Sequence, residues 1–168
     1  MRFPFSTLCV LLLAGCCAPT AQLKERERGV ITATNHLHVR TTSYTGKYNG
    51  IGERLHHGPV VSAASDWSQF PLGTRFRICG ETKRTFVIDD YGSALAGTRT
   101  IDLCAACTRE MHQWGARWVD IEVLEWGSAR RSLEVLSPRE HAWYVRIMTA
   151  ALRRQAGGIP QQFHRVKE

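Results

Sequence analysis

Apolar and polar residues alternate with a period of two over several short stretches, and this alternation predicts strands. It is clearest at 119–126, where Val119, Ile121 and Val123 interleave with Asp120 and Glu122. Stretches rich in Val, Ile, Thr and Tyr at 37–44, 59–65, 74–79, 84–89 and 100–104 fit the same pleated, half-buried surface. Turn formers separate them: a glycine-rich loop at 46–52, the turn Gly80-Glu81-Thr82-Lys83, and a small-residue loop at 91–98 containing Gly92 and Gly97. The spacing becomes helical at 108–114, where Thr108 can cap a short helix and Gly115 can end it. Six closely spaced strands with one small helix predict an all-β closed barrel, which leaves no strand edge exposed.

The C-terminal stretch reads differently. Ser137-Pro138-Arg139-Glu140 has the form of a capping box with Pro at the first helical position. Val145, Met148 and Leu152 then follow on helical spacing, and Gly157-Gly158 and Pro160 stop the run. An amphipathic helix over about 138–155 is expected, within a basic extension covering 128–168. That extension holds eight Lys/Arg against three Glu, so it carries most of the net charge of +7. Its basic face suits either anionic phospholipid or plain solvation. The motifs that carry chemistry lie outside it, so the charge does not point to nucleic acid as a partner. At 168 residues and 43% hydrophobic, the chain has the composition of one folded domain and not of a disordered polymer.

The N-terminus looks like an export signal. Met1-Arg2 precedes an apolar run over 3–13, too short for the roughly 20 residues of a membrane span but long enough for a signal-peptide core. Leu13-Ala14-Gly15-Cys16 resembles the lipobox of bacterial lipoproteins, in which the cysteine thiol is acylated and becomes the new N-terminus. On this reading 1–15 is a signal peptide, Cys16 is lipidated and 16–35 is a polar tether; ordinary cleavage after Ala18 is the alternative. Several acyl chains anchor a protein stably where one does not. Cys17, in place of Asp, follows the lipidated position, which favours the outer membrane, facing the periplasm.

An oxidising compartment permits disulfides, and Cys79, Cys104 and Cys107 remain for the folded part. One disulfide among them is expected, with reduced buried thiols as the alternative. Cys104-Ala-Ala-Cys107 lacks the βαβ setting of a redox motif and the further ligands of a zinc site. His36 and His38 share a strand face but have no acidic or thiol partner at ligand spacing, so neither metal nor cofactor is expected. Trp114, Trp118 and Trp126 fit the core or rim of the barrel, and Trp67 is the better candidate for ligand contact.

Four further segments stand in order: Ala64-Ser65-Asp66; Phe70-Pro71-Leu72-Gly73-Thr74; Asp89-Asp90-Tyr91-Gly92-Ser93 running on to Gly97; and Ile101-Asp102-Leu103. Together with the strand 41–45 and the closing segment from Trp114-Gly115 to Ile121, they resemble the 3D domain, named for three aspartates. That domain is shared by A-type membrane-bound lytic transglycosylases and other cell-wall proteins. Asp66, Asp90 and Asp102 fall at the three positions, and the resemblance covers about 38–127. It implies a six-stranded double-psi β-barrel, peptidoglycan glycan strands as the partner, and cleavage of the MurNAc-GlcNAc β-1,4 bond. Two departures are Ser93 where Gly is frequent and Ala96 where a basic residue is frequent. The large inserted domain of the A-type enzymes is also missing from this stretch.

The chemistry suits carboxylic acids. Breaking a glycosidic bond needs an acid that is neutral before the step, and an isolated Asp near 3.9 is too acidic. A second carboxylate and partial burial raise one of a pair. In a lytic transglycosylase the same residue then takes the proton of the muramic C6 hydroxyl, which closes onto the anomeric carbon. The resemblance assigns that role to Asp102, charge tuning to Asp90, and substrate orientation to Asp66. Trp67, Tyr91, Gly92 and Ser93 would line the substrate. Asp89 is expected to face away from Asp90. The competing possibilities are that the aspartates satisfy backbone N–H groups in tight loops, and that the barrel binds glycan as a monomeric module without cutting it.

Overall fold

A computed structural model describes residues 35–157. The signal-peptide, lipobox and Cys16 readings, and nearly all of the 16–35 tether, lie outside the described residues. Six strands are present: β1 His36–Tyr44, β2 Val60–Ala64, β3 Arg75–Ile78, β4 Thr85–Asp90, β5 Ile101–Cys104 and β6 Arg117–Glu125. They close a barrel in the order β1-β5-β2-β4-β3-β6. The β1/β5 and β2/β4 pairs are parallel, and the remaining four pairs are antiparallel. Exchanging each strand with the one three further along the chain returns the same circle with the same parallel and antiparallel pairs. The barrel therefore has an internal two-fold order, the double-psi arrangement expected above.

Alternation fills the interior. Val39, Phe76, Phe86, Ile88, Ile101, Ile121 and Val123 are all buried, with the rings of Phe76 and Phe86 stacked 5.3 Å apart. Each such side chain contributes about 1.5–3 kcal/mol by leaving water. The short helix α1, Thr108–Trp114, has the predicted ends, with Gly115 closing it, but its N-cap is Cys107 and not Thr108, and no side chain caps it.

The C-terminal stretch departs from expectation. Among the described residues it holds two helices, α2 (Ala129–Leu136) and α3 (Trp143–Ala156), joined through a 3-10 turn at Ser137–Arg139. Ser137 is no N-cap: its hydroxyl donates back to Leu133 O at 2.7 Å, ending α2. Pro138 has no N–H to continue the ladder, so α2 stops there and the next helix starts at Trp143 instead of about 138. These helices belong to the fold. Leu136, Val145, Met148 and Leu152 are buried in one apolar cluster with Trp67, Phe70 and the barrel residues.

The seam between barrel and helices is made by backbone N–H groups that donate to hydroxyls and to a carbonyl. Leu72 N donates to Ser132 Oγ at 2.9 Å, and Ser128 N to Leu72 O at 3.0 Å. Gly127 N donates to Thr74 Oγ1 at 3.0 Å. A Cβ at Gly127 would overlap the Leu72 and Pro71 carbonyl oxygens, so no other residue fits without opening the seam.

Candidate active site

Strands β1, β5, β2 and β4 lie side by side and carry most of the polar groups of interest. Thr42 and Tyr44 on β1 stand in register with Asp102 and Cys104 on β5. Ala64 on β2 pairs with Asp102 on one side and with Asp90 on the other. The register of β2 against β4 slips between Ala63 and Ala64, an irregularity of the bulge type that re-aims nearby side chains.

Asp102 behaves as the alternation predicted. Ile101 and Leu103 point into the core, and Asp102 is half-buried on the other face. Its one side-chain hydrogen bond comes from Thr42 Oγ1, which donates to Oδ1 at 2.7 Å. Burial raises its pKa above the ordinary carboxylate value and the charge of Asp90 adds to this, while the Thr42 hydrogen bond opposes it.

Asp90 is buried and fully occupied. Oδ2 accepts from Tyr44 Oη at 2.8 Å, and Oδ1 accepts from Gly50 N at 2.7 Å and Tyr91 N at 2.8 Å. The Tyr44 hydroxyl is pushed far above its usual range, first by burial and then by Asp90. Asp66 is also buried: Ser68 N donates to Oδ1 at 2.7 Å and Gly97 N to Oδ2 at 2.6 Å. Gly97 has φ +76°, a conformation that favours glycine, so the Asp66 bond pins the turn that leads into β5. Asp66 and Asp90 are thus clamps for the 91–97 loop and for the glycine-rich loop at 46–52.

Other expected positions also change meaning. Trp67 is fully buried, donates from Nε1 to Asp90 O at 2.8 Å, and meets the Tyr91 ring edge-on at 5.0 Å. It supports the site from beneath and is not a surface for ligand, because its indole N–H is already partnered inside the core. Tyr91 is half-buried and donates to Gly50 O at 3.2 Å; Gly92 is half-buried and Ser93 is exposed at the start of a 3-10 turn. Trp118 is exposed and stacks on His38, which lies 2.8 Å from Asp120 Oδ1. Trp126 stacks on Phe70, and half-buried Trp114 donates to Thr41 Oγ1 at 3.2 Å.

The expected disulfide is not formed: Cys79, Cys104 and Cys107 are all free. Cys79 follows β3 beside His36, whereas Cys104 ends β5 beside His57, with 3.7 Å between Sγ and Nδ1. The barrel assigns the two thiols to different neighbours, and exposed Cys107 stays unbonded at the cap of α1. Burial raises the Cys104 thiol to about 11, with further contributions from Asp89 and Asp90.

Asp89 is the residue that sequence reasoning missed. It accepts from Ser62 Oγ at 2.6 Å through Oδ2, with His56 Nε2 3.9 Å from the same oxygen. Its Oδ1 is shielded from solvent and has no hydrogen-bond partner among the described residues. Burial raises its pKa, and the charge of Asp90 adds to this, against the Ser62 bond and His56. It lines a cleft of about 440 Å³ between the barrel and the C-terminal helices. A second cleft, of about 340 Å³, is lined by Ser43, Leu103, Cys104, Gln113 and Trp114 among others.

Compared with family models and with curated proteins, the chain matches none.

Proposed function

We propose that this protein cleaves peptidoglycan glycan strands at the MurNAc-GlcNAc β-1,4 bond in the manner of a lytic transglycosylase. Asp102 carries the reading. It is a half-buried carboxyl with a single side-chain hydrogen bond, and burial and the charge of Asp90 hold its pKa up. An acid so placed keeps its proton nearer neutral pH than a free Asp does. The order of the aspartate motifs and its resemblance to the 3D domain support the same choice.

In the reaction, Asp102 gives its proton to the glycosidic oxygen as the C1–O bond breaks. The resulting carboxylate takes the proton of the muramic C6 hydroxyl as that oxygen bonds to C1, which leaves a 1,6-anhydro ring and returns Asp102 to its starting form. Asp90 acts through its charge on Asp102. Asp66 positions the 91–97 loop through Gly97, so that Tyr91, Gly92 and Ser93 border the substrate. No cofactor enters this chemistry. Acylation at Cys16 would anchor the barrel in the bacterial envelope, on the outer membrane facing the periplasm, within reach of this polymer.

A second reading, a barrel that binds glycan without cutting it, is favoured by the engagement of all four Asp66 and Asp90 oxygens with the fold itself. Mass analysis of products after incubation with purified sacculi separates the two. Anhydro-muropeptides from the wild-type protein, absent with Asp102→Asn, are the expected result. Binding to sacculi without any soluble product would sink the catalytic reading and leave the module.

A further inference from the structure

The larger cleft lies where the barrel meets the C-terminal helices, and its wall is chemically divided. Val87, Val135, Leu72 and Ile51 give it apolar sides. Arg131 from α2 and Arg139 from the following 3-10 turn bring two cations to it. The Arg131 side chain is exposed, and its guanidinium makes no ion pair among the described residues. Arg139 donates to Val135 O at 2.6 Å through one nitrogen, which leaves other N–H groups of its fork for a ligand. Glu53 and Asp89 also line the cleft, so the two arginines share it with acidic side chains.

Two guanidinium groups beside an apolar wall suit a planar carboxylate attached to a small aliphatic group. A muramoyl peptide offers these groups together: carboxylates and small methyl-bearing residues. A neutral N-acetylglucosamine chain has the amides but no carboxylate. The volume, about 440 Å³, lies within the range of small-ligand sites and suits one sugar with the first residues of a peptide stem.

The cleft also stands in the right place. Ala64 separates Asp90 from Asp102, so the β4 end that bears Asp89 lies two strands from the proposed acid, roughly 10 Å across the sheet. Arg139 is close enough to Tyr91 for its charge to act on that hydroxyl, which ties the cleft to the loop bordering the substrate.

We infer that this cleft is a subsite for the carboxylate-bearing peptide stem of muramic acid, held by Arg131 and Arg139. The inference rests on the glycan-strand reading above and specifies which part of the polymer is recognised. The two halves of the site then divide the work: Asp102 acts on the sugar linkage, and the arginine cleft selects strands that still carry peptide.

The test is titration calorimetry on the full chain with two probes, N-acetylmuramoyl dipeptide and an N-acetylglucosamine oligomer. Wild type should bind the muramoyl dipeptide, and Arg131→Gln and Arg139→Gln should each weaken it by about tenfold, as expected for the loss of one charge-assisted contact. Affinity for the neutral oligomer should stay within twofold of wild type. Arg131 is exposed, so its replacement keeps the test valid even if Arg139→Gln perturbs the 3-10 turn. Unchanged dipeptide affinity in Arg131→Gln, or equal loss for both probes, overturns the subsite. The catalytic reading fails separately: wild type that binds the dipeptide selectively but releases no anhydro-product from sacculi retains the subsite and loses the transglycosylase.

Discussion

Replacing Asp90 separates a clamp from a catalyst. Its carboxylate receives three donors, Tyr44 Oη, Gly50 N and Tyr91 N, at 2.7–2.8 Å. Asp90→Ala deletes both acceptor oxygens and so all three hydrogen bonds, at a site only 6% exposed. Hydrogen bonds to a charged group contribute about 1.5–3 kcal/mol each, but Gly50 is on an exposed loop that can open to water, so the three do not add in full. The expected loss is about 3–5 kcal/mol. Asp90→Asn is milder. Its Oδ1 can keep both backbone donors, and the Tyr44 hydroxyl can reverse and accept from the new amide, so only charge assistance is lost, at about 1–2 kcal/mol. A domain of this size shifts by about 3–5 °C per kcal/mol. Thermal unfolding followed by circular dichroism should therefore place Asp90→Asn about 5 °C below wild type and Asp90→Ala more than about 10 °C below. If Asp90→Ala melts within two degrees of wild type, the clamp argument is wrong.

Asp102 should behave in the opposite sense. Its folded pKa is raised, so its contribution to stability is complete below the ordinary Asp value of 3.8 and is lost as pH rises through the folded value. Asp102→Asn should thus gain stability over wild type as pH rises from 3.8 toward neutral, while anhydro-product formation falls by about 10²–10⁴-fold; denaturant melts at two pH values and product mass check both halves. Met148→Ala should cost about 2–5 kcal/mol by leaving a cavity under α3, whereas a C-terminal stretch that merely hung from the barrel would show almost none in the same melts. With its thiol at about 11 against an ordinary 9.0, Cys104 should hold about a hundredfold less thiolate at pH 8. Peptide mapping after brief iodoacetamide treatment should find Cys79 and Cys107 labelled well before Cys104, and the reverse order would contradict the site electrostatics.

The strands were legible because alternation is a local property: each predicted segment overlaps its observed strand with ends at most two residues apart. The same period correctly placed Asp102 between two core residues. What alternation could not decide depended on partners brought together only by closure of the chain. The acceptor roles of Asp66 and Asp90 rest on donors at Gly97 and Gly50, and Trp67 disappears beneath Asp90 and Tyr91. Asp89 was set aside because simple alternation turns it away from Asp90. Beside the β2/β4 irregularity it nonetheless bonds Ser62, and its charge joins that of Asp90 on Cys104. In the C-terminal stretch, Ser137-Pro138 fits a helix start and a helix stop equally well in local terms. Leu133 O, one turn earlier, decides for the stop, and α2 was missed although Ser128, whose side chain accepts from Arg131 N, marks its start.

The order of strands around the barrel has a consequence for how the molecule is made. Among the six strands only β3 and β4 are both consecutive in sequence and paired; β1 must wait for β5 and β6, and β3 gains its second neighbour only from β6. Such non-local pairing makes closure slow, on the millisecond-to-second scale, because long loops must be ordered before their contacts form. A growing chain that ends before Arg117 can form the hairpin and the β2/β4 pair but leaves the outer edges of β1 and β3 open. The barrel therefore closes only when its last strand arrives, and until then it is an open sheet with two unpaired edges.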